Sequence, residues 1–257
     1  MNEFDAKREG TGTHEWAEVT ENIARGCPNN CLYCYAAHSA NRFGLRKREN
    51  WSTEELTKRA EITSYPARKG VVMFPSSHDI TPFNLDAYVR VARLILAKGN
   101  RLLIVSKPRV ECIDAMLLEF AGFEDQILFR FTIGSVNEEL LRFWEPGAPS
   151  PGERIESLRR AFSAGFKTSV SIEPIVGGTQ DAIDVVMATQ EYVTDTIWIG
   201  KMNKVRLRVG SEHDGAIKEI ERLQSDGRII QLYKHLQGFP KIRWKDSINE
   251  VISRWGL

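Results

Sequence analysis

The alternation of apolar runs with helical patterns constrains the fold of this chain more than any other feature of its sequence. Several β-like segments are near-continuous apolar runs, such as Leu102–Val105, which is typical of parallel strands buried on both faces. The six strand candidates are Glu18–Ala24, Gly70–Phe74, Arg101–Ser106, Ile127–Ile133, Lys167–Ile172 and Thr196–Gly200. Strand–helix units in series predict a parallel sheet with right-handed crossovers. Because six strands are fewer than the eight of a closed barrel, we expect an α/β fold, an open partial (β/α)6 barrel of the TIM type.

Helical patterns occupy most intervals between the predicted strands. Thr53–Thr63 follows Ser52, with Glu55 at the spacing of a capping box, and Asp86–Ala97 ends at a basic residue and a glycine, which favour a helix C-terminus. The other predicted helices are Val110–Phe120, Asn137–Phe143, Pro151–Ala164, Asp181–Glu191, Ala216–Gln224 and Arg228–His235. We therefore expect a flexible N-terminal segment over 1–16, the barrel over 17–210, and a helical C-terminal extension over 211–257 that packs on the barrel.

Composition excludes several classes of protein. With 257 residues, 42% hydrophobic and 27% charged, the chain is not a disordered, collagen-like or coiled-coil sequence. No apolar run approaches the roughly 20 residues that span a bilayer, and the polar first 16 residues do not resemble a signal or transit peptide. We expect a cytoplasmic protein with no membrane partner. A net charge of +1 gives no global field for nucleic acid, so any such binding requires local basic patches.

Three of the four cysteines fall within eight residues, in the pattern C-x3-C-x2-C formed by Cys27, Cys31 and Cys34. The cluster follows the first predicted strand, so it lies in a loop at the barrel mouth. Three thiolates this close can hold three irons of a [4Fe–4S] cluster and leave the fourth iron without a protein ligand. An open coordination position is typical of a catalytic metal site, whereas a structural zinc site needs four protein ligands. The nearest candidate for a fourth ligand is His38, which makes zinc the weaker alternative.

This spacing, with Tyr33 before the third cysteine, resembles the signature of the radical S-adenosylmethionine (SAM) superfamily. A narrower resemblance, clearest at Glu145–Pro151 and continuing to Ser171–Gly178, is to the spore photoproduct lyase and DNA repair photolyase-like group. The resemblance implies a partial (β/α)6 barrel and a [4Fe–4S] cluster whose open iron binds SAM. It also implies that one electron, from a reductant of the flavodoxin or ferredoxin type, cleaves SAM to a 5′-deoxyadenosyl radical that abstracts a substrate hydrogen.

The resemblance further assigns cofactor-binding residues to the carboxyl ends of the strands. Tyr33 matches the aromatic residue whose backbone approaches the SAM adenine, and Lys107 matches a lysine that helps to hold SAM. Ser106 precedes that lysine at the end of the third strand. Thr132 matches a small hydroxyl residue facing the SAM ribose, and Glu173 occupies a position beside SAM. The residues alone leave alternatives open, since Lys107 also fits a solvated loop and Thr132 an ordinary strand position.

The segment after the second predicted strand departs from the lyase, which carries its hydrogen-donor cysteine there. This chain has Ser76, Ser77, His78 and Asp79 instead, which we expect to line the site. The serines are candidate cofactor contacts, and His78 is a candidate hydrogen-bond or proton donor. For His78 and Asp79 the alternative is loop capping.

The fourth cysteine, Cys112, lies at the start of a predicted helix and fits a buried structural role. The chain therefore lacks an evident donor thiol, which predicts against lyase activity itself. Tyr35 matches a tyrosine that follows the third cysteine in the lyase, so we take it as the candidate radical relay.

Two basic stretches near the predicted barrel mouth bear on the substrate. They are Arg42 with Arg46–Arg48, and Lys201–Arg208. Such stretches can pair with phosphates or can be solvated faces that pair with carboxylates. We favour a radical SAM enzyme acting on a nucleobase or nucleotide, free or in nucleic acid. A radical SAM enzyme acting on a peptide or small metabolite is the alternative, and a non-catalytic metal-binding module is a third hypothesis.

Overall fold

Seven parallel strands form one curled sheet in this protein. The structure, a computed structural model, describes Phe4, Arg8 and residues 10–257. The strands are β1 (Val19–Thr20), β2 (Ala24–Arg25), β3 (Glu55–Leu56), β4 (Val71–Met73), β5 (Arg101–Ser106), β6 (Ile127–Thr132), β7 (Lys167–Ile172), β8 (Ile197–Ile199) and β9 (Ile242–Trp244). The sheet order is β1-β4-β5-β6-β7-β8-β9, with every pairing parallel, while β2 pairs with β3 in a separate antiparallel ladder. This architecture confirms the predicted partial TIM-type barrel.

The alternation of side chains along the strands divides the core into two layers. In β5, Leu102 and Ile104 belong to the large cluster shared with the surrounding helices, whereas Leu103 belongs to a smaller cluster with Trp16 and Met73. The second cluster fills the inside of the curl. Two of its members, Trp16 and Met73, also line the cavity described below. The apolar runs in the sequence are thus explained by burial of both faces of the sheet.

The helices are α1 (Tyr35–Arg42), α2 (Leu85–Leu96), α3 (Val110–Glu119), α4 (Glu138–Trp144), α5 (Pro151–Ser163), α6 (Gly178–Thr189), α7 (Val205–Arg208), α8 (Asp214–Leu223), α9 (Asp226–Leu236) and α10 (Asp246–Arg254). Most predicted helices are confirmed within three residues at each end. In α5 the Ser150 hydroxyl accepts from the Glu153 amide, which caps the helix that Pro151 begins. Within the described residues, no helix is both long and apolar enough to cross a bilayer.

The prediction of a helix over Thr53–Thr63 is wrong. The chain forms β3 there and then a short 3-10 turn at Lys58–Glu61. The Glu54 carboxylate accepts hydrogen bonds from the side chains of Thr81 and Asn84, and the Thr57 amide donates to the carbonyl of Ile23. These tertiary bonds hold the segment extended, and they outweigh a capping pattern that is only a local signal.

The first predicted strand, Glu18–Ala24, is divided in the structure. Only β1 joins the parallel sheet, whereas Ala24 belongs to the β2–β3 ladder. The division falls at Asn22, whose side-chain carbonyl accepts from the amides of Ser76 and Ser77. These bonds join the segment after β1 to the segment after β4, beyond the last paired residues Thr20 and Met73.

The C-terminal extension contains a strand that the sequence did not reveal. β9 pairs with β8 along Ile197–Ile199 and becomes the seventh strand of the sheet, so the extension, predicted as helical, also contributes a strand beside its helices α8, α9 and α10. Three residues give too short a run to recognise by periodicity. The division at 16 and 210 stays a prediction. Residues 1–3, 5–7 and 9 of the N-terminal segment lie outside the described residues, while Glu15 and Trp16 are buried.

Candidate active site

The cysteine loop connects β2 to α1 and is held by contacts with distant segments. Gly26 has φ +89°, and a β-carbon there would lie 2.0 Å from the carbonyl oxygen of Thr53, so only glycine fits. The Arg48 guanidinium donates to the carbonyls of Asn30 and Cys31 at 3.2 and 3.0 Å. The segments that contain Thr53 and Arg48 fix the path of the loop, although sequence spacing alone could not place either of them beside it.

The three cysteines of the loop are free thiols that line one cavity of about 410 Å³. Burial raises the pKa of all three, that of Cys31 to about 12. The Sγ of Cys34 also accepts from the amide of Ala37 at the start of α1. Among the described residues, no three Cys, His, Asp or Glu side chains converge as the ligands of a single metal ion would.

Asp79 connects the cysteine loop to the end of β5. Its carboxylate accepts from the Asn29 amide group at 2.8 Å, the Ser106 hydroxyl at 2.9 Å and the Lys107 backbone amide at 2.7 Å. The Cys27 thiol donates to the same carboxylate at 3.7 Å. Burial alone would raise the pKa of Asp79, but the Lys107 charge and these hydrogen bonds lower it. These bonds are those of the loop-capping alternative for Asp79.

Lys107 extends over the ring of Tyr33, with Nζ 5.8 Å from the ring centroid. Burial opposes its charge, but the surrounding groups, Cys31, Tyr33 and Asp79 among them, raise the pKa of Lys107 well above its usual range. The side chain therefore carries its positive charge inside the cavity. Lys107 thus lies in the cavity lining and is half-buried, and its role in binding stays a prediction.

Tyr33 turns its hydroxyl away from the cavity and donates it to the buried carboxylate of Glu145. That carboxylate also pairs with Arg154, whose side chain is fully buried and donates to the carbonyls of Pro149 and Thr132. The network joins the cysteine loop to α5 and to the end of β6. The Glu145–Pro151 segment thus supports the cavity wall from behind through this hydrogen-bond network.

Both ring nitrogens of His78 are engaged with the backbone. Nε2 accepts from the amides of Ile23 and Ala24 at 3.2 and 3.3 Å, and Nδ1 lies 3.0 Å from the carbonyl oxygen of Asp79. Burial lowers the pKa of His78, so the neutral ring is favoured. This geometry is that of the loop-organising alternative, and a role in proton donation stays a prediction.

Tyr35 stands at the mouth of the cavity with 41% of its surface exposed. Its hydroxyl donates to the carbonyl of Ser76, and the Ser76 hydroxyl in turn accepts from the Asn22 amide group at 2.8 Å. The Arg208 guanidinium carbon lies 5.9 Å from the centroid of the Tyr35 ring. The ring is therefore held in place beside an arginine.

Glu173 follows β7 and is anchored by a buried network beneath the cavity. Lys245 Nζ lies 2.7 Å from the Glu15 carboxylate, 3.7 Å from the Glu173 carboxylate and 2.7 Å from the carbonyl oxygen of Gly12. Burial raises the pKa of Glu173, although Lys245 opposes the shift. The Lys245 ammonium also lies 4.2 Å from the centroid of Trp16. Lys245 and Glu15 were not recognised from sequence, because nothing local to either signals a partner about 230 residues away.

All twelve candidate residues line the one cavity: Cys27, Cys31, Tyr33, Cys34, Tyr35, Ser76, Ser77, His78, Ser106, Lys107, Thr132 and Glu173. Their roles toward a ligand stay predictions. Cys112 lies apart from them, buried in the large core cluster with its pKa raised by burial to about 12. The N-terminal residues Thr11–Thr13 and Trp16 contribute a wall that the sequence did not indicate.

The family model described as the radical SAM superfamily matches residues 22–190 of this chain. An uncharacterized protein, ORF301, of Acidianus two-tailed virus is 29% identical over 168 residues, which cover 60% of this chain and 54% of the viral protein. The chain thus spans about half the length of that relative.

Solved structures share the fold at low identity. A mutant of spore photoproduct lyase superposes with a TM-score of 0.57 at 16% identity, covering 89% of this chain and 76% of the lyase. SuiB of Streptococcus suis, in a structure with S-adenosylmethionine, gives a TM-score of 0.53 at 9% identity over 88% of this chain and 50% of SuiB. At these identities the likeness shows the fold alone.

Proposed function

Because the chain belongs to the radical SAM superfamily, we propose that it is an enzyme that holds a [4Fe–4S] cluster on Cys27, Cys31 and Cys34. Membership implies this cluster and SAM as cofactors. The observation that carries the proposal for this chain is that its three free cysteines open onto the same cavity as Lys107, Thr132 and Glu173. Bound there, the two cofactors supply a 5′-deoxyadenosyl radical that abstracts a substrate hydrogen.

The cavity fits such ligands in size and in the chemistry of its lining. Its volume of about 410 Å³ lies within the roughly 300–1,000 Å³ of small-molecule sites. Charged and polar side chains line it, among them Lys107, Glu173 and Arg208. Such groups among apolar ones are what a polar small molecule needs for its orientation.

In this proposal the residues around the cysteines bind and orient SAM. Lys107 offers a positive charge to the SAM carboxylate, and Asp79 holds its backbone in place. Thr132 and Glu173 offer a hydroxyl and a carboxylate to the ribose hydroxyls. Trp16, packed against Trp198, closes the inner end of the cavity and excludes water, which protects a radical from side reactions.

We propose a nucleobase or nucleotide as the substrate class. Support comes from the exposed ring of Tyr35 at the cavity mouth beside Arg208, since aromatic and cationic groups together suit bases and phosphates. A mutant of spore photoproduct lyase, similar in fold to this chain, has been solved with a dinucleoside spore photoproduct. Repair of that lesion is not proposed here, because Cys112 is buried away from the cavity.

The test is anaerobic reconstitution with iron and sulfide, followed by reduction in the presence of SAM. Superfamily enzymes need a one-electron reductant, and we propose one of the flavodoxin or ferredoxin type, which dithionite can replace in the assay. We expect about four irons per chain and formation of 5′-deoxyadenosine. Cys27→Ala, Cys31→Ala and Cys34→Ala each abolish the product, whereas the matched control Cys112→Ala retains both iron and product. A triple alanine variant that still binds iron and cleaves SAM contradicts the proposal, and a protein that binds iron without cleaving SAM supports a non-catalytic module.

A further inference from the structure

The charged side chains that line the cavity are not all paired. Asp79 receives four hydrogen bonds from the cysteine loop and the end of β5, including its interaction with Cys27. Glu173 pairs with Lys245. Three cations remain, Lys107, Lys201 and Arg208, and none of them has a carboxylate within 4.0 Å in the part of the chain that the structure describes. Lys107 is assigned to SAM under the proposed function, which leaves Lys201 and Arg208. Both side chains are half-buried.

The fold places both cations in the lining of the cavity. Lys201 follows β8, and its backbone amide donates to the hydroxyl of Ser247 at 3.0 Å. Arg208 is the last residue of α7, which packs against α1, and its guanidinium lies by the ring of Tyr35. Lys201, Arg208 and Tyr35 therefore line the same cavity.

Arg206, on the same helix α7 as Arg208, is a cation that does have ion-pair partners. Arg206 is exposed, and its guanidinium pairs with Glu221 and, at 3.8 Å, with Asp214. Arg208 is less exposed, yet it lacks such a partner. Removing a cation from water is unfavourable when no anion accompanies it. Lys201 and Arg208, both half-buried and without an ion-pair partner among the described residues, are therefore suited to binding an anionic ligand.

We propose that Lys201 and Arg208 bind a phosphate group of the substrate, beside a base that stacks on Tyr35. The assignment rests on the proposed function and deepens it. Phosphate is favoured over carboxylate because the positive charge continues outward from the cavity. Lys204 is exposed two positions after the buried Met202, and Arg42 lies two helical turns from Tyr35 on the same face of α1, with no carboxylate in ion-pair range of either among the described residues. A track of cations leading from an aromatic ring fits successive phosphates of an oligonucleotide.

The experiment uses the cluster-loaded protein with SAM bound, titrated by calorimetry with the dinucleotide thymidylyl-thymidine. A second titration uses its methylphosphonate analogue, which has the same bases and no charge on the linkage. We expect wild type to prefer the charged dinucleotide, and Lys201→Met or Arg208→Gln to raise its Kd about 10- to 100-fold, as for loss of a charged hydrogen bond. The matched control is Arg206→Gln, which removes the same charge from α7 outside the cavity and leaves the Kd unchanged. A thymidine oligonucleotide of six residues tests the outer track, since Arg42→Gln weakens the hexamer and not the dinucleotide.

Several outcomes would overturn the assignment. Equal affinity of wild type for the charged and neutral dinucleotides, or binding of neither, refutes phosphate recognition. Tighter binding of an acidic tripeptide than of the dinucleotide assigns the cations to a carboxylate. If Arg208→Gln loses SAM binding while the dinucleotide affinity is unchanged, the guanidinium belongs to SAM. Failure of the proposed function is separate, because wild type would then form no 5′-deoxyadenosine from SAM in the first place.

Discussion

Replacing Lys245 with methionine should destabilise the protein far more than removing the charge of an exposed lysine that also forms an ion pair. Lys245 contacts the carboxylates of Glu15 and Glu173, and its side chain is only 2% exposed. Gly200 lets it approach the sheet, since a β-carbon there would lie 2.8 Å from Cγ of Lys245. Methionine keeps the aliphatic length that packs on Trp16 and removes only the charge.

The expected magnitude follows from burial. Removing one partner of a buried ion pair costs about 3–5 kcal/mol, because the other charge stays buried without compensation. For a domain of this size each kcal/mol lowers Tm by about 2–4 °C, so we expect a decrease of roughly 6–20 °C. The measurement is thermal unfolding followed by circular dichroism under anaerobic conditions at neutral pH.

The matched control is Lys218→Met. Its Nζ lies 2.7 Å from the Asp214 carboxylate, the same distance as in the Lys245–Glu15 pair, but the two side chains are 68% and 49% exposed. Solvent screens that pair, so we expect no measurable change in Tm. Equal Tm changes in Lys245→Met and Lys218→Met would show that burial of the pair does not determine its contribution, and would refute the reasoning.

The pH dependence provides a second check on Lys245→Met. The pKa of Glu173 is raised by burial above its ordinary value of 4.5, and Lys245 opposes that rise. Without Lys245 the pKa rises further. A carboxyl with a raised folded-state pKa keeps its stability below the unfolded pKa and loses it as pH rises through the folded pKa. The difference in Tm between wild type and variant should therefore be smaller at about pH 5 than at about pH 8, and a difference that is constant with pH would exclude Glu173 as its source.

Three further predictions concern the cavity. Lys107→Met should lower SAM affinity about 10- to 100-fold with iron content unchanged, measured by equilibrium dialysis, and unchanged affinity would place the lysine outside the binding site. Asp79→Ala should reduce the iron content per chain, because the cysteine loop loses its anchor to Ser106 and Lys107. Asp79→Asn should retain more iron than Asp79→Ala. Equal iron content in both variants and in wild type contradicts this role of Asp79. Cys112, with a pKa of about 12, should react with iodoacetamide in the cluster-loaded protein only after unfolding, and rapid modification of the native protein, read by mass spectrometry, would count against a buried thiol.

The sequence predicted the barrel because its signal is repeated along the chain. Apolar runs such as that of β5 pair in register with their neighbours over five residues, and most runs are followed by a helix. The cysteine pattern is recognisable because its spacing is local, and the roles expected of Lys107, Thr132 and Glu173 came from the family resemblance. These residues line one cavity because parallel strands bring their carboxyl ends to one edge. Sequence patterns within a short window therefore predicted the strands and helices whose formation depends on neighbouring residues.

The remaining features depend on contacts between distant segments. Glu55 fitted a capping box, yet Glu54 beside it is drawn to Thr81 and Asn84, which replaces the helix by an extended segment. β9 has three residues and acquires its identity only by pairing with β8. The His78 ring accepts from backbone amides more than 50 residues away in sequence, and no local pattern indicates these partners. No window on the sequence contains both partners of such contacts.

The bond between Lys245 and the carbonyl of Gly12 joins residues separated by 233 positions, and this separation has a consequence for biosynthesis. The cysteine loop leaves the ribosome early, whereas the residue that fastens both Gly12 and Glu173 emerges after every other wall of the cavity. A nascent chain that already displays Cys27, Cys31 and Cys34 still lacks the support beneath the site. Under the proposed function, a cluster can enter the finished cavity only after Lys245 has been synthesised. A polypeptide cut before Lys245 would keep all three cysteines and Lys107 but lack the ion pairs with Glu15 and Glu173.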